Sequence, residues 1–145
     1  MDVWELPYTY VIRLERGEEV ITSLKDFADS FHIRGGLFLG LGALSEATLG
    51  FFQPQAGDYE KKTFHEDLEI LQMTGSLTLL PDEKPLIHIH ATLGRSGMES
   101  IGGHLFRATI SITGEFYCMK PGGAIFRKKK SPEGFLLLSG VEEAP

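Results

Sequence analysis

Five histidines stand in this chain of 145 residues, and three of them have a spacing that could do chemistry. In the run Pro85-Leu86-Ile87-His88-Ile89-His90-Ala91-Thr92-Leu93, apolar residues at 87, 89, 91 and 93 alternate with His88, His90 and Thr92. That alternation reads as a half-buried strand with both imidazoles on one face. Side chains two residues apart on a strand lie about 6–7 Å from each other, so two imidazoles can lean onto one ion. Zinc takes histidine nitrogens at about 2.0–2.1 Å. His104 follows His90 with thirteen residues between them, directly behind Gly102-Gly103. Two glycines let that backbone pass close to a neighbouring strand. Three neutral imidazoles with an open fourth position describe zinc of the catalytic type. The same residues also fit a plainer reading, three unrelated histidines on a polar sheet face. His32 reads as the end of a helix, where it complements the dipole, and His65, beside Glu66 and Asp67, as a solvated side chain.

Glu69 stands inside the apolar run Leu68-Glu69-Ile70-Leu71. A carboxylate there is costly unless it is exposed, paired or functional. It could orient a ligating histidine or polarise a metal-bound water, or lie exposed or at a subunit interface. Arg127, Lys128, Lys129 and Lys130 form the one basic run. It could contact phosphates, or be a solvated strand end that blunts a sheet edge. The glycine-rich stretch 35–42 lacks the Lys-Ser/Thr of a phosphate-binding loop. It reads as a buried strand packed closely at a subunit interface. No serine or cysteine nucleophile motif is present, and Cys118 reads as core.

Something must position these groups, and the punctuation of the chain suggests what. Residues 8–14 alternate as a strand that Gly17 ends. Val20, Ile21, Leu24, Phe27, Ala28 and Phe31 fall at helical spacing, predicting a helix over about 18–32. Glu18 and Glu19 would occupy its first turn, and Gly35-Gly36 would stop it. Further strands are predicted at 37–44, 47–53, 59–65, 68–80, 86–93, 107–119, 124–129 and 135–138, separated by Gly and Pro turn signals. Many strands and one helix give an α+β fold, a largely antiparallel, curled or barrel-like sheet covered by one main helix. The length predicts one domain over 1–140 with a frayed tail at 141–145.

Composition narrows the function. Apolar residues at 42% and charged residues at 23% are those of a folded globular chain, not a disordered one. Fourteen Lys+Arg against twenty Asp+Glu leave a net charge of −6, which argues against a free-standing duplex-DNA grip built on a basic face. A single cysteine excludes an internal disulfide and fits a reducing compartment. The acidic start Met1-Asp2-Val3-Trp4-Glu5 has no signal-peptide pattern, and the longest apolar stretch, 36–44, is far short of the ~20 residues that span a bilayer. A cytoplasmic location with no membrane contact is expected.

At the histidines the chain resembles a known family. Glu69-Ile70-Leu71-Gln72-Met73-Thr74-Gly75-Ser76, then the His88–His90 strand, then Ile101-Gly102-Gly103-His104-Leu105, follow the motifs of the plant and prokaryote conserved (PPC) domain in order. The resemblance runs over about 8–126. It implies a sheet-rich α+β fold and a homotrimer. It also implies a metal site, zinc, at His88, His90 and His104, as in stand-alone prokaryotic members. Plant members join the domain to AT-hook motifs that grip the DNA minor groove. This chain has no Arg-Gly-Arg-Pro, so its link to DNA is one of family label. A more distant likeness, of geometry alone, is to acetolactate decarboxylase, which holds zinc with a His-x-His pair and a later histidine. That likeness implies a zinc-dependent lyase or hydrolase acting on a small carbonyl or carboxylic-acid molecule bound at the metal.

Overall fold

The computed structural model describes residues 1–143. The elements run β1 (Asp2–Leu6), β2 (Thr9–Glu15), α1 (Val20–Ser30), β3 (Gly36–Gln53), β4 (Asp58–Phe64), β5 (Leu68–Leu79), β6 (Pro85–Gly94), β7 (Ser100–Met119), β8 (Gly123–Lys130) and β9 (Leu136–Glu143). All nine strands join one sheet, ordered β1-β2-β7-β3-β5-β8-β9, with β4 on β3 and β6 bridging β5 and β7. Four strands therefore close a ring: β3 pairs with β5, β5 with β6, β6 with β7 and β7 with β3. Pairing is antiparallel except for one parallel bridge, Leu79 to Phe126, which ties the β8–β9 hairpin to β5. The fold is the expected α+β arrangement of a curled, largely antiparallel sheet and one helix.

Alternation decides what fills the ring. Ile12 and Leu14 of β2, Phe38 and Leu44 of β3, Ile89 and Leu93 of β6, and Ile110 and Phe116 of β7 are all buried. α1 lays Val20, Leu24, Phe27 and Ala28 over this face, packing against β6 and β7. The Phe27 ring meets Tyr10 edge-on at 5.2 Å between centroids and Phe38 at 6.4 Å. Cys118 belongs to the same core, and burial pushes its thiol up to about 12.

Several boundaries differ from expectation for identifiable reasons. The helix begins at Val20 because Glu19 caps it, its carboxylate accepting the N–H groups of Ile21 and Thr22 at 3.1 and 2.8 Å. Glu18 lies outside the helix and receives the N-terminal ammonium of Met1 at 2.9 Å. The helix ends at Ser30, before the glycines. His32 takes the left-handed conformation, φ 52°, and donates to the Asp29 carbonyl, while Ile33 donates to the Ala28 carbonyl at 2.8 Å. This is the Schellman closure usually given to glycine, so His32 terminates the helix through its backbone and no basic side chain serves the last turn.

The stretches 37–44 and 47–53 are one strand, β3, whose register against β7 shifts at Gly42, Leu44 and Thr48. Gly42 sits at φ 139°, and a Cβ there would strike the Thr113 carbonyl. β7 reaches back to Ser100, so His104 stands within a strand, not on a turn. β1 was not anticipated; Val3 pairs with Ile12 and Trp4 with Val11 at the sheet edge. Val141, Glu142 and Glu143 are not frayed: they pair with Ile125, Ala124 and Gly123. The rest of that expected tail, 144–145, lies outside the described residues. Among the described residues no helix is long and apolar enough to cross a membrane.

Candidate metal centre

The parity of β6 sends Ile87, Ile89, Ala91 and Leu93 into the core and leaves His88 and His90 on the opposite face. The third histidine arrives across the sheet, because His104 of β7 is the register partner of His90. Gly102 and Gly103 make that approach possible. A Cβ at Gly102 would lie 2.9 Å from the Ala91 carbonyl oxygen, and one at Gly103 would lie 2.7 Å from that of Gly50. The backbone can thread between β6 and β3 only without side chains there.

One ring nitrogen from each of the three histidines lies within 4.8 Å of the other two. Ring centroids are 5.1 Å apart for His88 and His90, 5.0 Å for His88 and His104, and 5.5 Å for His90 and His104. Tyr59 and Phe106 flank the His104 ring at 5.1 and 4.7 Å. Burial, with His88, His90 and Lys61 adding repulsion, pulls His104 down to about 4. Burial, then the neighbouring charges of Arg127 and His90, lowers His88 as well. Both are thus neutral at neutral pH, the state in which imidazole offers a lone pair to a metal. His104 Nδ1 is buried without a hydrogen-bond partner. An orphaned nitrogen in such a place costs free energy, and its neighbours are two further imidazoles. The donor set fits zinc.

A cavity of about 650 Å³ opens over the three rings, walled by Tyr59, Leu80, Leu86, Phe135, Leu136 and Leu137. The β8–β9 hairpin and the turn between its strands supply the far wall.

The other expected site residues divide. Glu69 is not in this site. It pairs with Ala43 and Gly94 at the opposite end of the β5–β6 ladder, seven residues before the Ser76 that faces His88, and it is exposed there. It lines a separate depression with Arg16, Asp67 and Arg95. A β-strand rises about 3.3 Å per residue, so roughly 20 Å separates it from the histidines.

The basic run is split. Arg127 turns inward: its Nη2 reaches His88 Nδ1 at 3.3 Å and Ser76 Oγ at 3.4 Å, its Nε donates to Thr78 Oγ1 at 3.2 Å, and its Nη1 to the Leu136 carbonyl at 3.0 Å. Lys128 folds over the Phe126 ring at 4.0 Å, and Lys129 and Lys130 are exposed. Nothing in the sequence signalled that Arg127 belongs with the histidines. The single parallel bridge from Phe126 to Leu79 puts it there. Tyr59 and Phe135, each the first residue of a predicted strand, were missed as well, since nothing local says which strands meet. His65 is exposed as expected, with Nδ1 2.9 Å from Glu46.

Comparison with known proteins bears on the fold and the family. The family model of the Plants and Prokaryotes Conserved (PCC) domain matches residues 3–120. A crystal structure of a "putative DNA-binding protein" from Bacteroides thetaiotaomicron is 30% identical, with TM-score 0.90 over 95% of this chain and 96% of that one. A metal-containing protein from Archaeoglobus fulgidus is also 30% identical, with TM-score 0.81 over 97% of this chain and 100% of that one. Acetolactate decarboxylase from Bacillus subtilis shares the fold at 11% identity, with TM-score 0.58 over 86% of this chain and 57% of that enzyme. No curated protein matches the sequence. The chain belongs to the plants and prokaryotes conserved domain family, known equally as PCC or PPC.

Proposed function

We propose that this chain is a metal-binding PPC domain whose His88, His90 and His104 hold one zinc ion. The observation that carries the reading is the convergence of three imidazole nitrogens within 4.8 Å from two strands. The unpartnered His104 Nδ1 supports it, and so does the metal-containing Archaeoglobus relative. Bound zinc would supply Lewis acidity at an open coordination position. The chain's own contribution is to fix the three rings by strand pairing, to keep two of them neutral, and to wall the site with apolar side chains. Metal analysis of the purified protein tests this. About one zinc per chain is expected, and His104→Ala should lose most of it. Metal-free protein that takes up no zinc near neutral pH overturns the reading.

A second reading, a zinc-dependent enzyme acting on a small carbonyl or carboxylic-acid molecule, draws on the 650 Å³ cavity over the rings. A solvated structural site would have no need of such a space. DNA binding, which the Bacteroides relative carries in its name, finds less support. Arg127 is engaged inside, Lys128 lies on Phe126, and the net charge is −6. Weak, salt-erased DNA binding or none is expected in a shift assay. Nanomolar affinity at physiological salt, abolished by neutralising Lys128, Lys129 and Lys130, would restore that role.

The same reading includes a cytoplasmic homotrimer. Leu37, Leu39 and Leu41 of β3 are 41–51% exposed, and Tyr117 and Met119 of β7 pair directly with Leu39 and Leu37. A contiguous apolar patch of this kind on a charged chain marks an interaction surface. Light scattering at micromolar concentration should report three chains; a monomer would overturn it.

A further inference from the structure

Among the described residues, Arg127 is a cation without a counter-ion. Its four contacts are the Thr78 hydroxyl, the Leu136 carbonyl, the Ser76 hydroxyl and a ring nitrogen of His88, all neutral at neutral pH. No Asp or Glu lines its cavity among the described residues. Lys61, its Nζ 4.0 Å above the Phe106 ring, lies close enough to His104 to act on its charge and adds a second positive charge near the site. A half-buried guanidinium that is not neutralised carries a standing electrostatic cost. A divalent ion on the three histidines would raise the local charge further.

The contacts are also unequal. Nε and Nη1 anchor the group to Thr78 and Leu136 at 3.2 and 3.0 Å. The two Nη2 contacts, at 3.3 and 3.4 Å, are long for hydrogen bonds. The Nη2 edge, with the second Nη1 proton, is therefore the part of the fork open to exchange. A planar carboxylate matches that edge with two parallel N–H···O bonds. Around it the cavity is apolar, with Leu80, Leu86, Leu137 and Phe135 in its walls.

We propose that Arg127 is the anion-binding arm of this site, and that the site takes a small carboxylate bearing an apolar tail. The inference rests on the metal reading above and names its ligand class. The carboxylate supplies the negative charge that the cavity lining lacks. The tail lies against the leucines and Phe135 of the β8–β9 hairpin. Arg127 is a binding residue in this account, separate from the metal ligands.

The test uses the full chain loaded with cobalt(II), whose visible spectrum reports ligands near the ion, and titrates it with hexanoate, acetate and hexanamide. Wild type should bind hexanoate at least tenfold more tightly than acetate or hexanamide. Arg127→Gln should weaken hexanoate at least tenfold while cobalt affinity stays within threefold of wild type. Arg127→Lys, which keeps the charge but loses the fork, should fall between the two. If melting curves show that Arg127→Gln does not fold, Arg127→Lys carries the test, and hexanoate binding equal to wild type overturns the inference. Cobalt uptake with hexanoate bound equally by wild type and Arg127→Gln overturns it while leaving the metal reading intact, and so does acetate bound as tightly as hexanoate. Failure of wild type to take up cobalt overturns the metal reading, and this inference with it.

Discussion

Each end of the β5–β6 ladder holds an arginine, and the surroundings of the two are opposite. At the Glu69 end, Arg95 meets Glu66 with two hydrogen bonds of 3.0 and 3.1 Å and Glu99 at 3.3 Å. Its charge is fully answered within the chain, and the depression beside it lacks a histidine among the described residues. At the other end Arg127 meets hydroxyls, a carbonyl and an imidazole. Folding alone accounts for the first arrangement, in which solvated charges find partners on a surface. It does not account for the second, which leaves positive charge and an orphaned nitrogen together in an apolar cavity. Violations of local consistency gather where a chain has something external to bind, and here they gather around His88, His90 and His104.

The sharpest way to break this comparison is to exchange the ends by mutation. His90→Ala should lower zinc affinity roughly a hundredfold or more, since one of three ligands is lost and its register partner His104 faces an empty position. Glu69→Ala should leave zinc stoichiometry and affinity unchanged, because that carboxylate lies at the Arg95 end. Calorimetric titration of the metal-free proteins checks both. A zinc defect in Glu69→Ala would return the carboxylate to the site and undo the assignment of the two ends.

The next effect separates the two faces of one strand. Ile89 lies between the two histidines in sequence but points into the core, 1% exposed. Ile89→Ala removes packed methylenes where the ring cannot collapse and should cost about 2–5 kcal/mol in chemical denaturation. Zinc binding of the folded fraction should persist, since the register that places His88 and His90 is held by the pairing of β6 with β5 and β7.

That strand also shows how much could be read without coordinates. Period-two alternation at 87–93 placed both imidazoles on one face, and Gly102-Gly103 signalled the close approach that brings His104 beside them. Periodicity is a local property, and these were local questions. The partners supplied by long-range pairing were not legible. Arg127 looked like the first residue of a surface basic run, because nothing local says that β8 docks beside β5 through one parallel bridge. Glu69 looked like a site residue because it interrupts an apolar run. On a strand with one exposed face, that interruption is simply the outward parity of residues 69 and 71. His32 carried no sign that it would adopt φ 52° and do the work of a glycine.

Acid should distinguish the two ends as well. His104 is held at about 4 in the folded chain against 6.5 when unperturbed. Between those values the unfolded chain binds more protons at this position than the folded one. Its contribution therefore holds above about pH 6.5 and is lost as pH falls toward 4. The metal-free protein should lose stability over that window in urea titrations at stepped pH. His104→Phe should flatten the slope. A metal-free protein equally stable at pH 7 and pH 4.5 would show that the imidazole is not desolvated as the structure describes.

The smallest effect belongs to Arg95, and its smallness is informative. Its partners Glu66 and Glu99 are 31% and 53% exposed, so water screens both pairs. Exposed ion pairs gain little, because desolvation and side-chain ordering offset most of the attraction. Arg95→Met should leave the melting temperature close to that of wild type. The small difference that remains should vanish in about 1 M salt, where the Debye length falls to about 3 Å. Zinc and carboxylate binding should be untouched. If Arg95→Met instead weakened ligand binding as Arg127→Gln is expected to do, the two arginines would be acting through the sheet as a whole. The contrast between a charge neutralised by its own chain and one left for a ligand would then lose its basis.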